Sequence, residues 1–411
     1  MKQTHQVYLK KWDERIISRR RKYFFEESFS KRWEESFSFK LLWNKFISDV
    51  QFVFNQIYTV AKQLKVFGPI IRKEYGLPIY VQCFRLLYLT LVVRKNAQEF
   101  RKRLLFKTAS WKNVKRYDYG QIDTQLRLAT CSFAEEIPVI EDKFRFYIYC
   151  DKCRIPTPEI TAVFSEGNQI YPINKGFDLP NEDLFIKERK CGKVVRAKNF
   201  KFKNGIYIDS DQKKYTKQQV LKFLIVESHR SDLIIQRKLV NHDDLKPFTT
   251  GALSTCRIVT VKGGDNGNIK PLFAVMRMPC GNKDVDNYAQ GGLLSTIQIE
   301  SGVLGRAVTY LPYKGKFEFD VHPDTNQLIK GSQVPAWKAM LEFTISSHKQ
   351  FSSLTVGWDV CYSEKGIFLI EGNIRWGSSL YECPEQKPFR ETQYPAVYET
   401  LISNYKYDKS E

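Results

Sequence analysis

The sequence predicts an α+β protein in which a basic helical module precedes a strand-rich region. Three observations lead there. Residues 1–110 are nearly without proline and repeat apolar and aromatic positions at helical spacing. From about residue 137 the texture changes to short β-rich runs broken by Gly, Asn and Asp, with Pro138, Pro156 and Pro158 marking early boundaries. Farther on, between residues 354 and 373, two apolar runs flank a polar turn, which is the pattern of a hairpin.

The helical module carries most of the basic excess. Residues 1–107 hold 23 Lys or Arg against 9 Asp or Glu, in a chain whose net charge is +20. Charge of that sign suits an anionic membrane, a nucleic acid or an acidic polymer. No zinc or ribonucleoprotein signature supports nucleic acid, so an anionic membrane ranks first. The aromatic residues Trp12, Tyr23, Phe24, Phe25, Trp33, Trp43, Phe46, Phe52, Phe54 and Tyr58 read as core if they pack inward. Facing outward, they would instead form an interfacial layer among lipid headgroups.

An apolar content of 43%, with 14% aromatic residues, excludes a disordered chain. The longest apolar runs, such as Leu86 to Val93, fall short of the roughly 18–20 residues needed to cross a bilayer. The start, Met1 to His5 followed by polar residues, reads as lacking a secretion signal. Nine cysteines, an odd count, then read as reduced thiols. The expected compartment is cytoplasmic, with peripheral contact at the inner face of the membrane. Cys150-Asp151-Lys152-Cys153 has zinc spacing but no second Cys or His pair, and is set aside.

The most informative stretch is Leu354 to Asn373. If its turn centres near Glu364 and Lys365, Asp359 and Glu371 lie almost opposite each other, with Asn373 two residues on along the same face. Two carboxylates and an amide oxygen on a buried apolar hairpin repel and lose hydration unless a cation joins them. Mg2+ prefers such hard oxygen ligands and keeps other positions for water and phosphate.

An Asp on one strand followed about a dozen residues later by Glu-x-Asn resembles the magnesium signature of the ATP-grasp superfamily. The wording of the stretch is similar to the sugar-transfer-associated ATP-grasp group, over about residues 110–390. The resemblance implies an ATP-grasp fold, with ATP and Mg2+ as cofactors. It assigns residues 1–110 to the basic helical module, 111–182 to a pre-ATP subdomain, 183–238 to the lid and 239–404 to the Mg-binding subdomain.

The resemblance also implies site residues. Glu141-Asp142-Lys143 before an Ile-Pro boundary offers Lys143, and the lid strand Asp183 to Val195 offers Lys187 for phosphate, with Gly192 in its turn. The strand Asp232 to Leu239 acts as a hinge, with Gln236 reading the adenine edge. Arg257 and Arg277 lie on alternating strands and either neutralise a developing acyl phosphate or pair with a buried acid. Asp286, Asn287 and His322 are substrate-binding candidates. The chain departs from the D-alanine ligase branch in one respect: the Arg found there two positions before the hairpin Asp is Gly357 here, which leaves Arg375 as a substitute.

The function implied is ATP-dependent ligation of a carboxylate on a sugar acid or glycan-linked substrate to an amine donor, in surface polysaccharide (capsule) biosynthesis. Two other readings stay open: a carbohydrate kinase, and a non-catalytic membrane-docked adaptor of glycan assembly.

Overall fold

The computed structural model describes residues 39–118, 136–172, 177–190, 197–263, 268–281 and 288–397. The chain divides into two compact units, Met1–Gln121 with Glu385–Glu411, and Ile122–Pro384.

The first unit is helical. Helix α1 (Phe39–Tyr75) turns at Gly76 into α2 (Ile79–Leu87), which runs on through one π-helical turn, Tyr88–Val92. Short helices α3 (Glu99–Lys102) and α4 (Thr108–Lys112) follow. The first two helices approach closely at Gly68, where a Cβ would stand 2.9 Å from Ile79 Cδ1. There Gln82 Nε2 donates to Gly68 O at 3.2 Å and to Leu77 O at 2.8 Å, while its buried Oε1 accepts no hydrogen bond. Val60, Ile71, Leu86, Leu89 and Phe100 are buried in this unit. Phe54 and Tyr58 of α1 and Tyr80 and Phe84 of α2 are 67–76% exposed. Tyr117 Oη donates to Gln386 O at 2.9 Å and Arg116 pairs with Glu391 at 2.9 Å, which ties the segment after residue 384 to this unit.

The second unit opens with α5 (Ile137–Glu141) and α6 (Lys143–Lys152). Its first sheet is built from β1 (Ile160–Ser165), β2 (Asn168–Tyr171), β3 (Leu184–Glu188), β4 (Lys198–Lys203), β5 (Ile206–Asp209), β6 (Lys214–Tyr215) and β7 (Leu233–Arg237). Their order across the sheet is β2-β1-β7-β3-β4-β5-β6, with antiparallel neighbours. Helix α7 (Lys217–Ser228) is started by a capping box between Thr216 and Gln219 and buries Val220 and Leu224 in this sheet's core.

The second sheet has the order β12-β11-β10-β9-β8-β13-β14, again antiparallel. Its strands are β8 (Thr255–Gly263), β9 (Asn268–Met278), β10 (Leu293–Ile297), β11 (Ala307–Tyr313) and β12 (Lys316–Phe319), then, after helix α8 (Trp337–His348), β13 (Thr355–Ser363) and β14 (Gly366–Asn373). Helix α8 adds Trp337 and Met340 to the core beside Ile258, Met276 and Trp358.

Two boundaries differ from the sequence reading. Strands β1 and β2, expected in a pre-ATP subdomain ending at residue 182, join the same sheet as β3, expected in the lid, because β7 pairs with β1 on one edge and β3 on the other. The C-terminal segment from residue 385, expected with the Mg-binding subdomain, groups with the helical unit.

Candidate metal and nucleotide site

The hairpin β13–β14 places its acids as the turn register requires. Asp359 pairs directly with Glu371, and Gly357 with Asn373. On its other edge β13 pairs with β8, where Asp359 faces Arg257. Glu371, Asp359 and Arg257 therefore form one row across three strands, and Arg277 of β9 sits diagonally behind it, opposite Thr255.

The side chains follow the row. Arg257 donates to both Asp359 oxygens, through Nε to Oδ1 and through Nη2 to Oδ2 at 3.0 Å. Arg277 Nη2 adds a bond to Oδ2 at 2.9 Å, and its Nε rests on Thr255 Oγ1 at 2.9 Å. Asp359 is 1% exposed. Burial works to raise its carboxyl, but the two guanidinium charges and the Arg257 bonds prevail and hold it at about 2.

Lys143 reaches the row from the start of α6, with Nζ 3.8 Å from Glu371 Oε2. Its placement is set by Asp142, which caps the helix by accepting from Phe144 N at 3.0 Å and Arg145 N at 3.1 Å. Asp142 also holds Arg189, the residue after β3, at 2.9 Å, and Lys143 N donates to Arg189 O at 3.0 Å. Burial favours the neutral form of Asp142, yet Arg189 and the two helix-end amides keep its carboxyl below the ordinary range.

Among the described residues no group of three His, Cys, Asp or Glu is gathered to cage a cation alone. What the hairpin presents is a carboxylate pair with the Asn373 amide, whose Nδ2 lies 3.4 Å from Gly357 O and 3.5 Å from Glu371 Oε1. That donor set fits a hard divalent cation that shares its remaining positions with phosphate and water.

Beside the row lies a cavity of about 420 Å3, lined among others by Phe185, Lys187, Gln236, Lys238, Leu239 and Ile370. The volume falls within the roughly 300–1,000 Å3 usual for small-molecule sites. Strand alternation explains the lining. Leu184, Ile186 and Glu188 point into the sheet's covered face, so Phe185 and Lys187 take the cavity face, and Lys187 Nζ lies 5.4 Å from the Phe185 ring centre. Gln236 faces Phe185 across β3–β7, and Ile370 is the strand neighbour of Glu371.

Residues 129–393 match the family model described as sugar-transfer associated ATP-grasp, which is more than half of the chain and includes both the row and the cavity. The chain belongs to the sugar-transfer-associated ATP-grasp family. No curated protein matches it. Among solved structures it is similar to a D-alanine–D-alanine ligase from Bacillus anthracis, with 12% identity, TM-score 0.37, and coverage of 66% of this chain and 70% of that one. An L-amino acid ligase from Bacillus licheniformis gives 10% identity and TM-score 0.35, with 63% and 48% covered. An N5-carboxyaminoimidazole synthase from Aspergillus clavatus, solved with ADP and 5-aminoimidazole ribonucleotide, gives 12% identity and TM-score 0.34, with 64% and 53% covered. The chain thus spans about half the length of the latter two.

In this ATP-grasp chain the structure brings together Lys143, Arg257, Arg277, Asp359, Glu371 and Asn373 at the row, and Lys187 and Gln236 at the cavity. Arg257 and Arg277, offered by the sequence for an acyl phosphate or for a buried acid, hold the buried acid Asp359. Arg375 is exposed and makes no ion pair among the described residues. His322 does not serve substrate through a free nitrogen: the ring is fully buried, Nε2 donates to Pro279 O at 3.0 Å, and Nδ1 accepts from Asp324 N and Thr325 N at 3.3 Å. Gly192, Asp286 and Asn287 lie outside the described residues. Sequence reasoning missed Asp142 as the residue that orients Lys143; its signal was the Asp immediately before a helical run.

Proposed function

We propose that this ATP-grasp protein is an ATP- and Mg-dependent carboxylate–amine ligase that acts on a sugar acid or glycan-linked substrate in surface polysaccharide biosynthesis. The observation that carries the reading is the carboxylate pair Asp359–Glu371 set beside a lysine-lined cavity. Asp359, Glu371 and Asn373 would hold the cation, which when bound neutralises charge on the phosphate oxygens. Lys143 and Lys187 orient the polyphosphate, and Gln236 with the following hinge backbone receives the base. The substrate carboxylate oxygen attacks the γ-phosphorus and the bond to the β–γ bridging oxygen breaks, releasing ADP. The amine then attacks the acyl carbon and phosphate leaves. Arg375, exposed two residues beyond Asn373, supplies a guanidinium for the acidic substrate in this reading.

The test is ATP turnover with a panel of sugar acids and amines, following ADP, phosphate and product mass in wild type and Glu371→Ala. ADP with phosphate and an amide, lost at least ~100-fold in the variant, is the expected result. A phosphorylated sugar would instead make the protein a kinase, and equal turnover in both proteins would remove the hairpin from catalysis.

We also propose peripheral contact of the helical unit with an anionic membrane. The exposed Phe54, Tyr58, Tyr80 and Phe84, together with the exposed Lys62, Lys65, Arg72 and Lys73 of α1, support it. No helix among the described residues is long and apolar enough to cross a membrane.

A further inference from the structure

The two lysines read as polyphosphate ligands come from different elements of the second unit, Lys143 from the start of α6 and Lys187 from β3 of the first sheet. One ion pair stands between them. Asp142, immediately before Lys143, is 3% exposed and meets Arg189, two residues beyond Lys187. Arg189 Nε donates to Oδ1 and Oδ2 of Asp142 at 2.9 Å each, and its Nη2 lies 2.9 Å from Oδ2.

The guanidinium is also held from a second side. Its Nη1 lies 3.5 Å from Oδ2 of Asp232, the residue before β7, and Ser165 Oγ at the end of β1 donates to Asp232 Oδ1 at 2.5 Å. The backbone joins the same segments: Arg189 N donates to Asp232 O at 2.8 Å, and Asp142 forms an antiparallel bridge with Lys190. Arg189 therefore ties α6 to the ends of three strands of the first sheet.

The connection matters because a lysine ends a long flexible stem. The distance between the Lys143 and Lys187 ammonium groups is set by where their backbones are placed, and the short route from one backbone to the other runs through Asp142 and Arg189. The guanidinium fork is committed to carboxylates, so Arg189 holds elements together while the lysines meet the ligand. Asp142 has a second task, the cap on Phe144 N and Arg145 N, which an asparagine performs equally well without the charge.

We propose that Asp142 and Arg189 are positioning residues that set the spacing of Lys143 and Lys187, so that both ammonium groups reach one polyphosphate. The proposal rests on the reading of these two lysines as polyphosphate ligands.

The test is calorimetry of the full chain with ADP in excess Mg2+, together with adenosine measured by competition. Wild type, Asp142→Asn, Arg189→Gln, Arg189→Lys, Lys143→Ala and Lys187→Ala are compared. Asp142→Asn and Arg189→Gln should each weaken ADP roughly 10-fold, as residues of one network do, while adenosine changes less than ~2-fold. Adding Arg189→Gln to Lys143→Ala should cost less than ~3-fold, because one of the groups it positions is gone. Arg189→Lys, which keeps the charge without the fork, should recover part of the loss. If Arg189→Gln does not fold, Asp142→Asn with its intact helix cap carries the comparison, alone and added to Lys143→Ala. Unchanged ADP affinity in these variants, ADP and adenosine weakened alike, or costs that simply add would overturn the positioning role while leaving the lysines as ligands. ADP affinity indifferent to both Lys143→Ala and Lys187→Ala would remove the phosphate reading, and the proposal with it.

Discussion

At the scale of single residues, Gly357 is the position where one methyl group decides most. Its neighbours are the Trp376 Cβ and the Arg257 stem, both part of a buried cluster, so Gly357→Ala should cost about 1–3 kcal/mol by overpacking. Urea unfolding would show a lower midpoint at unchanged slope; a neutral substitution would mean that the strands part without strain. The signal at this residue was present in the sequence as a missing arginine, but what fills its place was not. Arg257 and Asp359 are separated by 102 positions, and only the pairing of β8 with β13 brings them together. Cys150 is the converse case. It is fully buried and its thiol is pushed up to about 12 by burial, so it packs as an apolar side chain, as expected of a lone Cys-x-x-Cys.

At the scale of elements, the hairpin was legible because a tight turn sets its register locally, and the lid strand was legible because alternation has a period of two. The allocation of β1 and β2 was not, since the strand between them and the lid, β7, comes later in the chain than both. Two predictions belong here. Lys187→Ala removes the cationic group from the cavity face of β3 and should weaken ADP binding by roughly 10- to 100-fold, the worth of a charged hydrogen bond. Calorimetry that found unchanged affinity would place the phosphates elsewhere.

The second concerns the packing of α8. His348, its last residue, accepts from Thr260 Oγ1 at Nδ1 over 2.7 Å and donates from Nε2 to Ser353 O over 2.7 Å, while Trp358 Nε1 donates to the same Thr260 oxygen at 2.8 Å. Burial lowers the imidazole from 6.5 to about 4. The unfolded chain therefore binds a proton that the folded one refuses between those values. The contribution to stability is complete above pH 6.5 and is lost as pH falls from there through about 4, the loss reaching about 3 kcal/mol. Urea midpoints measured across this range should fall with pH in wild type and less steeply in His348→Gln; parallel curves would show that another group titrates.

At the scale of the whole molecule, the two units have different compositions and different surfaces. The helical unit was legible as helical and basic, whereas the return of the chain end to it was not, because that grouping depends on contacts such as Tyr117 with Gln386 across 269 positions. Some of its aromatic residues face outward against the usual inward packing, namely Phe52, Phe54 and Tyr58, while Trp12, Tyr23, Phe24, Phe25 and Trp33, and the side chains of Trp43 and Phe46, lie outside the described residues. The full chain should co-sediment with phosphatidylserine-containing vesicles, more weakly as salt rises. Replacing Phe54, Tyr80 and Phe84 together with Ser should reduce binding at least ~10-fold, given the apolar area withdrawn. Equal sedimentation with neutral vesicles, or binding unchanged in the triple variant, would show that this face has another use.

The charged row also acts on the sheet that carries it. Strands β8 and β13 are buried on both faces over much of their length, with Ile258, Val259, Val356, Trp358 and Val360 among the buried side chains, so burial alone does not single out one alignment. Sliding one strand by a single residue would turn Arg257 away from Asp359 and leave two buried charges unmatched, at a cost of about 3–5 kcal/mol. The same buried ion pairs thereby exclude misaligned sheets as the protein folds.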